Sequence, residues 1–113
     1  MIEIGRFEPL ADGFSGTILT LGLTATLHII AAEPTQNARA PQWHIHLGTA
    51  EGPRIGAGWN ASSETSGDIM KLVLDAPELL APIRARLVPS GGDDATYLLL
   101  WARPTGRVAR EAQ

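Results

Sequence analysis

The residues of this chain best suited to chemistry are three imidazoles, His28, His44 and His46. Imidazole binds zinc, copper and nickel, and a catalytic zinc centre commonly uses three protein ligands, so the trio could seat a metal for hydrolysis. A plainer reading competes. In Leu27-His28-Ile29 and Trp43-His44-Ile45-His46-Leu47 the histidines alternate with apolar residues, which places them on the outer faces of strands. With no carboxylate spaced to orient the rings, solvated strand histidines are expected, with no resident metal and no cofactor.

A second set consists of Trp43, Trp59, Lys71, Arg84 and Arg86. Aromatic rings that stack on bases, interleaved with cations that meet phosphates, are the means by which single-stranded nucleic acid is bound. Each tryptophan, however, shares its alternation phase with Ile, Leu or Ala, so a core role is the expectation for Trp43, Trp59 and Trp101 alike. Lys71, Arg84 and Arg86 then read as a solvated face with one compensating ion pair from Asp75 to Arg84. Asp93-Asp94 lies in a turn segment and is better explained by turn formation than by acid and base catalysis. Gly56 and Gly58 precede no helix, so they form no phosphate loop, although their missing side chains permit close approach by a backbone or a ligand. No catalytic constellation assembles.

The elements that must position these residues are strands. The 12 glycines and 8 prolines fall between short apolar runs, the punctuation of an all-β domain. Residues 2–8 and 14–21 read as a hairpin across Asp12-Gly13. Gly22 interrupts the next run. Strands over 23–31 and 42–48 pair across an exposed loop at 32–41, which brings His28 near His44 or His46. Further strands fall at 53–60, 68–75 and 83–88, with a surface loop at 60–67 and Lys71 beside Arg86. The last, Thr96 to Arg103, is buried through Leu98, Leu100 and Trp101. Pro77 and Pro82 leave room for at most one short helical turn near 76–81. The expected architecture is a single antiparallel barrel or sandwich over 1–103 with about six to eight strands, and a frayed tail over 104–113.

The 113 residues suit one domain, and 44% apolar against 19% charged residues can build a core. The absence of cysteine and of an export signal points to the cytoplasm. Apolar runs are too short for a membrane helix. A net charge of −3 disfavours binding to nucleic acid through phosphate neutralisation.

One ordered set of motifs carries a resemblance: Ile4-Gly5-Arg6-Phe7, Asp12-Gly13-Phe14-Ser15-Gly16-Thr17-Ile18, Ala40-Pro41-Gln42-Trp43, Ile55-Gly56-Ala57-Gly58-Trp59, Leu74-Asp75-Ala76-Pro77, Ala81-Pro82-Ile83 and Leu100-Trp101-Ala102-Arg103. Together they resemble the bacterial Domain of Unknown Function 736 family over residues 2–103. The resemblance implies a small cytoplasmic protein, often encoded on plasmids or integrative elements, with no established activity. The family pattern follows its tryptophan with a Lys-rich loop and an aromatic residue in the next strand, roughly WKKTSxxGxxYLSVKLDDP. Here Asn60 and Ala61 replace the lysines, and Ile69 or Met70 the tyrosine, which weakens phosphate attraction and stacking. The expectation is a non-catalytic interaction or accessory protein, not an enzyme. It would act through the 32–41 loop, the 60–67 loop or an exposed strand edge, on a partner protein or on a second copy in a homodimer. A single-strand nucleic-acid accessory protein is the alternative, and a metal-dependent hydrolase the third reading.

Overall fold

A computed structural model describes residues 2–65, 67–92 and 95–103. Eight strands follow one another in chain order: β1 (Ile2–Leu10), β2 (Gly13–Leu19), β3 (Thr24–Ala31), β4 (Trp43–Leu47), β5 (Arg54–Ser63), β6 (Gly67–Leu74), β7 (Ile83–Pro89) and β8 (Tyr97–Trp101). Each pairs antiparallel with the next, and β8 returns to β1 through Phe7↔Tyr97 and Ile2↔Trp101, closing the barrel. Closure leaves no free strand edge among these eight, so the expected edge contact has no place in the fold.

Alternation decides what fills the barrel. Phe7, Ile18, Leu27, Ile29, Ile45, Leu72, Leu87 and Leu99 point inward and are almost fully buried. Eight strands enclose a space that such side chains can fill, and each contributes roughly 1.5–3 kcal/mol. The result is a packed waist with two ends. Gly16 makes room in it: a Cβ there would lie 2.5 Å from Cγ of Phe7 and would collide with the Arg6 carbonyl.

Some expectations hold and others change. The interruption expected at Gly22 is a turn over 20–23, closed by Thr20 N–H donating to the Leu23 carbonyl at 2.8 Å, which separates β2 from β3. Pro77 and Glu78 form a single turn, with Leu79 N–H donating to the Ala76 carbonyl, within the limit of at most one short helical turn near 76–81. Most of the expected 60–67 loop is strand, since Asn60↔Met70, Ala61↔Ile69, Ser62↔Asp68 and Ser63↔Gly67 stay in register. Ladder hydrogen bonds need no apolar side chain, so a polar sequence extends the hairpin. In β8 the inward residues are Tyr97, Leu99 and Trp101, because Leu99 pairs with inward Leu87; Leu98 and Leu100 face out, half-buried. Asp93-Asp94 and the 104–113 tail lie outside the described residues. No helix among the described residues is long and apolar enough to cross a membrane.

Candidate functional site

The histidines meet as the pairing anticipates, but His44 and His46 direct their ring nitrogens to other partners, and His28 Nδ1 is buried without one among the described residues. His28 and His46 are direct cross-strand partners, and His44 pairs with Ile30. His46 Nδ1 donates to the Gly52 carbonyl at 2.7 Å, and Arg54 Nη1 lies 3.3 Å from both ring nitrogens of His44. Burial, then the adjacent Arg54, then His46 hold the His44 pKa below its ordinary value; a guanidinium repels a proton there as it would a metal dication. Among the described residues, no three or more His, Asp or Glu side chains are arranged to hold a metal ion.

The aromatic and basic set divides. Trp59, Lys71 and Arg86 form one row across the outer face of β5, β6 and β7, with Arg84 beside Val73 in the next row. Trp43 faces the interior, level with Ile45. Trp59 therefore has no core role. Its indole N–H donates to the Arg39 carbonyl at 3.0 Å, pinning the 32–41 loop against the barrel. The cause of the reversal is a bulge: His46 pairs with Arg54 but Ile45 with Gly56, so Ile55 packs inward at the bulge while Gly56 and Gly58 take the inward phase above it. The space over Gly58 belongs to Leu72 and Met70, 2.8 Å from where its Cβ would stand, and not to a ligand. Arg84 makes no ion pair with Asp75; the outer surface instead joins Arg6 Nε to Glu3 Oε2 at 2.7 Å.

The two ends of the barrel hold groups that strand reading alone does not assemble. Even-numbered strands all start at the same end of an antiparallel barrel, and three of them carry an aromatic within their first two residues: Phe14 in β2, Trp43 in β4 and Tyr97 in β8. All three turn inward there. The Phe14 ring lies 5.7 Å from Trp43 and 5.0 Å from Tyr97, tilted by 59° and 70°, the edge-to-face geometry that aromatic pairs prefer. Trp43 Nε1–H donates to Asn60 Oδ1 at 2.8 Å, and Asn60 N–H donates to Gln42 Oε1 at 3.0 Å. An aromatic at the start of alternate strands was the available signal.

The opposite end carries the 20–23, 48–53 and 75–82 turns and the start of β1. Leu21 and Leu80 are fully exposed there, with Leu19 67% and Ile2 59% exposed. Two apolar clefts open among them. One of about 370 Å³ runs over Leu27, Leu47, Ile55 and Leu74, and one of about 500 Å³ runs over Ile2, Ile4, Leu19, Leu21 and Trp101; Ile18, Leu23, Leu79 and Ile83 border both. The Arg103 guanidinium stands 5.6 Å from the Trp101 ring, at the margin of the larger cleft. Leucines placed within turns, Leu21 beside Gly22 and Leu80 between Pro77 and Pro82, are the sequence trace of this surface.

These features define a closed eight-stranded antiparallel β-barrel with a filled interior and two chemically distinct ends. A family model described as "Protein of unknown function (DUF736)" matches residues 3–104, and the chain belongs to that family. Comparison with curated proteins and comparison with solved structures each found no match.

Proposed function

We propose that the protein is a non-catalytic interaction module whose contact surface is the leucine-bearing end of the barrel. The observation that carries this reading is that two apolar clefts open at the end of the barrel where Leu21, which lines the larger cleft, and Leu80, next in sequence to Leu79 on the border of both, stand fully in solvent. Apolar patches of this kind mark interaction surfaces, because leaving them in water costs free energy that a partner recovers. The occupant that fits is a segment of a partner protein with apolar side chains for the clefts and a carboxylate for Arg103, the cation beside Trp101 at the larger cleft.

A photocrosslinking residue placed at position 21 or 80 in the native host tests this. The crosslinked protein is then purified and titrated. Its affinity falls at least about tenfold for Leu21→Ser combined with Leu80→Ser, and stays unchanged for Lys71→Glu combined with Arg86→Glu. Crosslinks only between copies of this chain would make the occupant a second copy and overturn the choice of partner.

One arrangement supports a second reading. The Trp59, Lys71 and Arg86 row with neighbouring Arg84 supplies a ring and three cations on one outer face, the components of a single-strand nucleic-acid contact. Titrating single-stranded DNA at low salt checks it. Quenching of tryptophan fluorescence that Lys71→Glu removes would support it, and an unchanged signal would sink it.

A further inference from the structure

The aromatic end of the barrel has chemistry of its own. We infer that it binds an alkylated ammonium group. Phe14, Trp43 and Tyr97, three of the six aromatic residues in the chain, come from three strands to line a cavity of about 130 Å³ with Asp68 and Met70. Ring faces carry negative electrostatic potential, and cages of such faces recognise quaternary ammonium ligands. Asp68 adds a formal negative charge to the cavity wall. It belongs to the inward phase of β6, level with Met70, and pairs through the backbone with Ser62.

The cage is held before any ligand arrives. Phe14 is wedged between Trp43 and Tyr97, and the Trp43 indole is fixed through Asn60, itself held by Gln42. Such preorganisation lowers the ordering cost of binding. Asn60, whose Oδ1 is taken by Trp43, also lines the cavity, and Ile69, Met70 and Leu87 give the rest of the wall apolar surface, which disfavours a strongly hydrated ammonium and favours one whose N–H groups are replaced by methyls. The cavity admits a trimethylammonium head and little more. That head could arrive on a free small molecule such as choline or on a trimethylated lysine of a protein, and the shared chemistry is the alkylammonium.

The test follows the Trp43 indole N–H resonance by NMR during titration with choline, with its neutral isostere 3,3-dimethylbutanol, and with a peptide carrying trimethyl-lysine. Choline shifts the resonance saturably, and the neutral isostere binds at least about tenfold more weakly. Asp68→Asn weakens choline about fivefold or more while leaving the melting temperature unchanged, since Asp68 is exposed. Trp43→Leu abolishes binding; because Trp43 also packs against the core, Asp68→Asn is the deciding variant. A peptide that binds more tightly than choline identifies a protein source for the ammonium, and one that binds no better identifies a free amine. Equal affinity for choline and its isostere, indifference to Asp68→Asn, or no saturable shift by about 50 mM would overturn the inference.

Discussion

At one end of the barrel Phe14, Trp43 and Tyr97 lean on one another beneath a hydrogen bond to Asn60, whereas at the other Leu21 and Leu80 stand wholly in solvent beside two apolar clefts. Both ends close the same waist of Phe7, Leu27, Ile45 and Leu99. The difference teaches where free energy has been left unspent. Aromatic rings in mutual contact, with the Trp43 polar atom satisfied, have found most of their apolar partners within the chain and leave only the small cavity beside Asp68 open to a ligand. Exposed leucines have not, and the surface that bears them is where an external partner adds most.

The contrast holds only if the waist separates the ends, and the largest expected effects lie there. Leu27→Ala removes a fully buried side chain and should cost ~2–5 kcal/mol in urea denaturation; a loss below ~1 kcal/mol would mean that the interior is open. Gly16→Ala places a methyl against the Phe7 ring and the Arg6 carbonyl, at an expected cost of ~1–3 kcal/mol by the same measurement. Asn60→Ala removes the acceptor for Trp43 Nε1–H and should cost ~0.5–1 kcal/mol. Leu80→Ser at the opposite end should stay within ~0.5 kcal/mol of the parent, because nothing folded packs on it. If Leu80→Ser proved the costlier of the two, the comparison of the ends would be reversed.

The smallest effect is a pH dependence on the outer face of β4. His44 is held below its ordinary pKa of 6.5, so the unfolded chain binds its proton more readily than the folded one. The contribution is intact above about pH 6.5 and is lost as pH falls toward the folded value. NMR titration of His44 should give a midpoint below 6.5, and Arg54→Gln should raise it by relieving one of the causes.

Much of the fold was legible because strand alternation is local. The phases of His28 and Ile45, the opposition of His28 and His46, and that of Lys71 and Arg86 all follow from periodicity and hairpin pairing, whereas the 68–75 run, apolar on both faces, does not reveal that Leu72 points inward. What escaped is what one residue can invert. The bulge opposite Ile45 and His46 separates Ile55 from Trp59, turns Gly56 and Gly58 inward and sends Trp59 to the surface. Closure between β8 and β1 rests on residues 90 or more positions apart, which no local pattern reports. In Leu98-Leu99-Leu100 hydrophobicity alone cannot choose a face; the pairing of Leu99 with Leu87 does. The aromatic cluster needed knowledge that alternate strands begin at one end, and the leucine end needed attention to apolar residues within turns.

The reading of the leucine end is tested most directly by hydrogen exchange on the protein alone and saturated with the partner captured at position 21 or 80. Slowed exchange in the 20–24 and 76–83 turns, with the 34–41 loop unchanged, is the predicted result. Protection confined to the 34–41 loop and the strand segments around Trp59, Lys71 and Arg86, with both turns unaffected, would contradict it.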